Sequence, residues 1–272
     1  MSRALIILIA LAVLAGIATG AYIIATHTLH TQQAPQAGTY QHRYGHGATP
    51  HGAAAGAYCR GRKVIIVLLP GFRWREFHVT YNMLKNKGAE TIIACPEPYV
   101  YGVREGYSAP IPVHCNITLS PSLDGDALII IGGPGEYCAL LYYLYRNSEI
   151  ANTSNIVKLI HECSVFLKAL HSDISKSISY VNAVVDLVRK FYTNNRIIGA
   201  ICVAPTFLAI AGILHETKIT MYNAPILVKY VSEHGGIVEL SKSVVISGNI
   251  VTANGPEASQ HFAKALVEKI CR

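Results

Sequence analysis

Cys202 stands between a continuously apolar run, Arg196-Ile197-Ile198-Gly199-Ala200-Ile201, and a segment opened by Pro205. A cysteine at the end of a buried strand, just before a helix, is placed for nucleophilic chemistry. The sharp turn exposes the sulfur, and the positive end of the helix favours thiolate over thiol. A buried small hydrophobe, the ordinary fate of a free cysteine, fits the position equally well. A second junction of this kind is Ala127–Ile131 running into Gly132-Gly133-Pro134-Gly135. Its backbone N–H groups could receive an oxyanion, or the turn could be a tight strand-to-helix connection. It is neither a GxGxxG nor a Walker A loop, so nothing points to a nucleotide. Five of the twelve histidines (His27, His30, His42, His46, His51) fall in a stretch rich in Gly, Ala, Pro, Gln and Thr. Their irregular spacing, with no acid or cysteine among them before Cys59, calls for no metal and no cofactor.

The elements that must position these residues are legible from periodicity. Val64–Leu69 is a β-branched, wholly apolar run, as a strand buried on both faces requires. Arg75–Lys87 is amphipathic and closes at Gly88, a helix C-cap. Thr91–Ala94 and Ala127–Ile131 give further strands, and Ile111–Leu119 reads as an edge strand. Val181, Val184, Val185, Val188, Phe191 and Tyr192 recur at helical spacing before the strand that ends at Cys202. Strands alternating with helices predict an α/β fold with a mainly parallel sheet, whose sites form at the carboxyl ends of the strands.

The 272 residues are 51% apolar and 14% charged, which excludes wholesale disorder. The net charge of +7 is not a nucleic-acid signature. Residues 1–62 hold Arg3, Arg43, Arg60 and Arg62 and no acid, and no run of five basic residues occurs anywhere. Ala4–Ala25 is an uncharged stretch of 22 residues, long enough as a helix for about 33 Å of bilayer. It reads as a retained signal-anchor over residues 1–26. Cleavage near Ala18-Thr19-Gly20, giving a secreted protein, is the alternative. With Arg3 on the cytoplasmic side, the bulk of the chain would lie outside. Residues 27–62 then form a tether, and residues 63–272 the globular domain.

Three blocks of that domain resemble the DJ-1/PfpI (ThiJ/PfpI) superfamily, with its class I glutamine amidotransferase-like fold. They are Lys63–Glu90, Asp126–Gly135 with its GGPG turn, and Ile197–Ile270, which opens with the AICVAP element around Cys202. The resemblance implies a flavodoxin-like three-layer sandwich with a nucleophile elbow at Cys202. It also implies an acidic partner at Glu76, near the start of the first helix, and an oxyanion hole from the backbone of Gly133 and Val203. Tyr222 falls where relatives carry a pocket residue, and His78 lies two positions beyond Glu76. Val203 stands where the protease-like branch has a histidine, which weakens a peptidase reading. His261-Phe262-Ala263 lacks the late His-x-Glu pair of the amidotransferases. The interval from Gly133 to Cys202 is longer than the family's, which places an insertion around residues 136–177, a lid or an interface.

The resemblance implies a cysteine enzyme of glyoxalase or deglycase type, with a small reactive carbonyl compound as substrate, and the apolar stretch Ala4–Ala25 would tether it to a membrane. The alternatives are a redox-sensing or chaperone-like stress protein using the same cysteine, and a peptidase of the PfpI type. A homo-oligomer is expected from the family. Seven cysteines are many for a reducing compartment. If the domain is exported, Cys59, Cys95, Cys115, Cys138, Cys163 and Cys271 can pair, Cys95 with Cys115 first of all, leaving Cys202 free. The sequons at Asn116 and Asn152 are compatible with export.

Overall fold

The computed structural model describes residues 59–106 and 109–272. In chain order the elements are β1 (Lys63–Val67), α1 (Trp74–Asn86), β2 (Glu90–Cys95), β3 (Tyr99–Gly102), β4 (Ile111–His114), β5 (Ile117–Thr118) and β6 (Ala127–Ile130). Then come α2 (Pro134–Arg146), α3 (Ser154–Ala169), α4 (Ser177–Thr193), β7 (Ile197–Ile201), α5 (Pro205–Ile210) and β8 (Thr217–Ile219). The chain ends with α6 (Pro225–Glu233), β9 (Gly236–Val238), β10 (Val244–Ser247), β11 (Ile250–Ala253) and α7 (Ser259–Ile270).

The main sheet has the order β10-β11-β7-β6-β1-β2-β5. All its neighbours pair in parallel except β10, which forms a hairpin with β11. The central strands are Val- and Ile-rich and buried from end to end in β6, because helices cover both faces. Helix α1 packs against α7, and α7 lies on β7 and β11. Helix α4 lies on β6 and β7 and packs against α2, which in turn carries α3. The result is a mostly parallel α/β sheet between two helical layers, as the periodicity predicts. Each fully buried side chain of the kind α7 contributes, Phe262 and Leu266 among them, is worth about 1.5–3 kcal/mol.

The expected edge strand at Ile111–Leu119 is two elements. Residues 111–114 pair antiparallel with β3 in a separate ribbon, where Pro112 lies opposite Tyr101. Only Ile117 and Thr118 reach the main sheet. A proline without an N–H cannot serve both sides of a ladder, and Cys115 at the break is bonded to Cys95. Two further bridges join Cys59 to Cys271 and Cys138 to Cys163, while Cys202 stays free and buried. All three pairs have Cα separations, 4.5 to 5.8 Å, suited to a disulfide.

The stretch expected as an insertion, residues 136–177, holds most of α2 and all of α3. Helix α3 packs on α2, to which the Cys138–Cys163 bridge ties it. Its carboxyl end brings Leu170 within 3.1 Å of where a Cβ on Gly71 would lie, and His171 against Tyr101 at 5.2 Å between rings. The expected span at Ala4–Ala25 and nearly all of the tether lie outside the described residues. No helix among the described residues is long and apolar enough to cross a membrane.

Candidate active site

Three chain segments meet at the carboxyl ends of β1, β6 and β7. The last of them turns at Cys202, whose φ of +66° lies in the left-handed region that few non-glycine residues occupy. Such a conformation costs of the order of 1–3 kcal/mol and persists only where its surroundings fix it. Here the Cys202 N–H donates to Ala253 O at 2.9 Å, and its carbonyl accepts from the Tyr222 N–H at 2.8 Å. Backbone contacts on both sides therefore pin the elbow, and Tyr222 is held directly beside it.

The second segment is the glycine turn after β6. A Cβ on Gly132 would lie 2.5 Å from Ile201 O and 2.6 Å from Cys202 Cβ. No side chain can be accommodated there, so the glycine is what lets the turn touch the elbow. Gly133 has φ +154° and sits as the N-cap of α2. The third segment, Pro70–Arg73, interlocks with this turn. Arg73 N–H donates to Gly132 O at 2.7 Å, and Gly135 N–H to Gly71 O at 3.1 Å. The N–H of Val203 faces the Cys202 sulfur.

Glu76 lies on the inward stripe of α1 with Thr80 and Leu84, spaced four residues apart, and is completely buried. Burial raises its carboxyl from 4.5 to about 8, against the opposing pull of the Arg73 charge, the Cys202 thiol and the Gly132 backbone. Neither carboxyl oxygen has a well-formed hydrogen bond. The Cys202 thiol is also pushed well upward, first by burial and then by the Glu76 charge. Arg73 and the Val203 N–H oppose this. The helix-end effect expected to lower the thiol is outweighed: α5 has six residues, and desolvation dominates. Glu76 and Cys202 thus form a buried pair that carries at most one negative charge near neutrality.

Two members of this cluster were not anticipated. Glu136, in the first turn of α2, is completely buried; one oxygen accepts from the Leu69 N–H at 3.4 Å and the other has no partner. Burial and the neighbouring Glu76 push its carboxyl well up. Its signal in the sequence was an acid inside an otherwise apolar first turn, read as the beginning of an insertion. Arg73 is the cation that acts on Cys202, Glu76, Glu136 and Tyr222 alike. His78, by contrast, is exposed on α1, stacked on Trp74 and bonded to Asn82 at 3.0 Å. It is not among the groups around Cys202. No group of three histidine, cysteine or acidic side chains among the described residues could hold a metal.

Residues 173–269, which include the elbow and Tyr222, match the model of the DJ-1/PfpI family. The likeness to that family model is confined to this part of the chain. Curated relatives of the chain include an uncharacterized protein of Methanocaldococcus jannaschii, 37% identical over 86 residues, or 32% of this chain and 42% of the relative. The glutathione-independent glyoxalase DJR-1.2 of Caenorhabditis elegans is 34% identical over 85 residues, 31% of this chain and 44% of the relative. The chain thus spans less than half the length of the curated relatives it matches. Solved structures extend the likeness to the fold as a whole. A ThiJ/PfpI domain protein from Brachyspira murdochii superposes with a TM-score of 0.56 at 21% identity, covering 78% of this chain and 97% of its own. Drosophila melanogaster DJ-1beta gives 0.54 at 21% identity, covering 77% and 90%. The DJ-1/PfpI fold accounts for residues well before 173, the strand β1 and helix α1 that bring Glu76 to the elbow.

Proposed function

We propose that the chain is a DJ-1-like cysteine enzyme of the glyoxalase or deglycase type, acting on a small reactive carbonyl compound through Cys202. The observation that carries the reading is the strained, backbone-pinned Cys202 beside a buried, proton-holding Glu76. In the first step the Cys202 sulfur bonds to the carbonyl carbon, and the π electrons move to the oxygen. The N–H groups of Gly133 and Val203 stabilise the developing oxyanion. The Glu76 carboxylate, the minority form near neutral pH for a carboxyl raised to about 8, takes up the proton that the thiol loses and returns it to the adduct oxygen. A proton then passes from the former aldehyde carbon to the neighbouring carbonyl carbon, leaving a thioester that water hydrolyses to the hydroxy acid and the free Cys202 thiol, so no external oxidant is consumed. Tyr222 forms one wall of the pocket.

A stress-protein reading is favoured by one observation, the isolation of Cys202 as the single thiol outside three bridges. Two molecules of hydrogen peroxide would then oxidise it in turn, through the sulfenate to the sulfinate, each being reduced to water. A peptidase is disfavoured, because no histidine adjoins the sulfur and Val203 follows it. The three bridges favour an oxidising compartment, with the domain exported either on an anchor at Ala4–Ala25 or as a secreted protein. The test compares wild type with Cys202→Ala on methylglyoxal and on a glycated peptide, alongside mass spectrometry after mild peroxide. Turnover lost in the variant supports the enzyme. Equal rates in both proteins refute it, and selective sulfinate formation without any turnover favours the sensor.

A further inference from the structure

We propose that the carbonyl substrate carries a carboxylate, which Arg73 receives beside Cys202; this rests on the cysteine-enzyme reading above. The site is built to accept negative charge from outside. Of the side chains around the sulfur, Glu76 and Glu136 are completely buried and driven toward their neutral forms by burial. The cysteine is itself held toward the thiol. Arg73 is therefore the charged side chain of this cluster, and its counter-charge, Glu105, lies on the solvent side.

Arg73 is also incompletely satisfied. Its Nε is buried with no hydrogen-bond partner, and an orphaned guanidinium N–H in a buried setting is costly. Nη1 pairs with Glu105 Oε1 at 3.3 Å, but Glu105 is 60% exposed while the Arg73 side chain is 23% exposed. A pair with one partner in solvent is weak and easily exchanged. The Glu105 carboxylate shows that a carboxylate fits on this guanidinium, and it marks the place an incoming one would take. The backbone of Arg73 is fixed to Gly132 O at 2.7 Å, beside the proposed oxyanion turn. Recognition of the carboxylate and activation of the carbonyl thus share one loop. The binding energy of a group remote from the reacting carbon would orient that carbon on the sulfur.

The test uses two alkylating reagents that share a reacting carbon and a leaving group but differ in charge. Iodoacetate carries a carboxylate and iodoacetamide an amide. In both, the cysteine sulfur bonds to the methylene carbon as iodide departs with the bonding pair. The ratio of their rates cancels the thiolate fraction, which Arg73 also affects. Rates are measured on the full chain by mass spectrometry of the Cys202 peptide, with free cysteine as reference. In wild type the iodoacetate-to-iodoacetamide ratio should exceed that of free cysteine by at least about tenfold, as one unit charge within a few ångströms implies. Arg73→Gln should bring the ratio to within threefold of free cysteine, and Arg73→Lys should keep most of the preference. Folding of each variant is checked by its urea midpoint. A wild-type ratio equal to that of free cysteine, or one unchanged in Arg73→Gln, overturns the carboxylate site and leaves the cysteine enzyme standing. If neither reagent labels Cys202 in the folded protein, the nucleophile reading falls and this inference falls with it.

Discussion

Replacing Glu76 with glutamine should convert a pH-dependent stability into a flatter one. Burial lifts the Glu76 carboxyl from 4.5 to about 8. Below 4.5 the folded and unfolded chains both hold the proton, and Glu76 contributes no slope. Between 4.5 and about 8 only the unfolded chain releases it, so the folded state loses about 1.4 kcal/mol of stability per pH unit as pH rises. Glutamine has nearly the same shape and never ionises. The stability of Glu76→Gln relative to wild type should therefore rise by about 3 kcal/mol between pH 5 and pH 7.5. Cys202 does not interfere in that window, because its thiol is raised well above 9 in the folded chain. Glu136 adds a slope of the same sign in both proteins, and because burial, its largest cause, is common to both, most of that slope cancels. The assay is equilibrium urea unfolding without reductant, followed by the fluorescence of Trp74. This is the chain's single tryptophan, packed against Phe77 and His78 beside Glu76. Any constant offset reflects the fit of the amide and is immaterial. A difference that stays constant from pH 5 to pH 7.5 would refute the claim that Glu76 is held protonated.

Three other outcomes follow from the geometry. Titration of denatured, unreduced protein should find one thiol, Cys202, and a count of seven would remove the bridges and the argument for an oxidising compartment. Gly132→Ala should cost about 1–3 kcal/mol and sharply slow any Cys202-dependent turnover, since the added methyl has nowhere to go beside Ile201 O and Cys202 Cβ; wild-type stability in urea would contradict this. The double variant Cys138→Ala, Cys163→Ala opens a loop of 25 positions and should lower stability by about 3 kcal/mol, read from the urea midpoint. A midpoint within error of wild type would show that α3 is held by packing alone.

Periodicity and strand chemistry place the central strands and the strand–Cys202–helix junction, while the elbow itself is what the family resemblance implies. The runs Val64–Leu69, Ala127–Ile131 and Ile197–Ile201 are apolar without alternation, and only strands covered on both faces satisfy them. The short strands β3, β8 and β9 escaped because three or four residues carry no measurable period, and their pairing depends on partners distant in sequence. At the site, Cys202 was marked by its place at a strand end, but the left-handed backbone is imposed by Ala253 and Tyr222, which local sequence does not announce. Glu76 is marked in the sequence by the family resemblance alone, and the buried stripe it shares with Thr80 and Leu84 is seen only in the fold. Glu136 and Arg73 have no such mark: one looks like an ordinary first-turn acid and the other like a surface cation. Their roles arise only when three separate chain segments close on one another.

The bridge between Cys59 and Cys271 joins residues 212 positions apart and turns the described domain into a covalent ring. A tension applied between the two ends of that ring is carried through sulfur and does not peel β1 or α7 from the sheet. A protease that cuts once in any loop between them opens the ring but releases no fragment. A single cut therefore detaches nothing from around the elbow until the bridge is reduced or a second cut is made, and reductant sharply increases what one cut can remove.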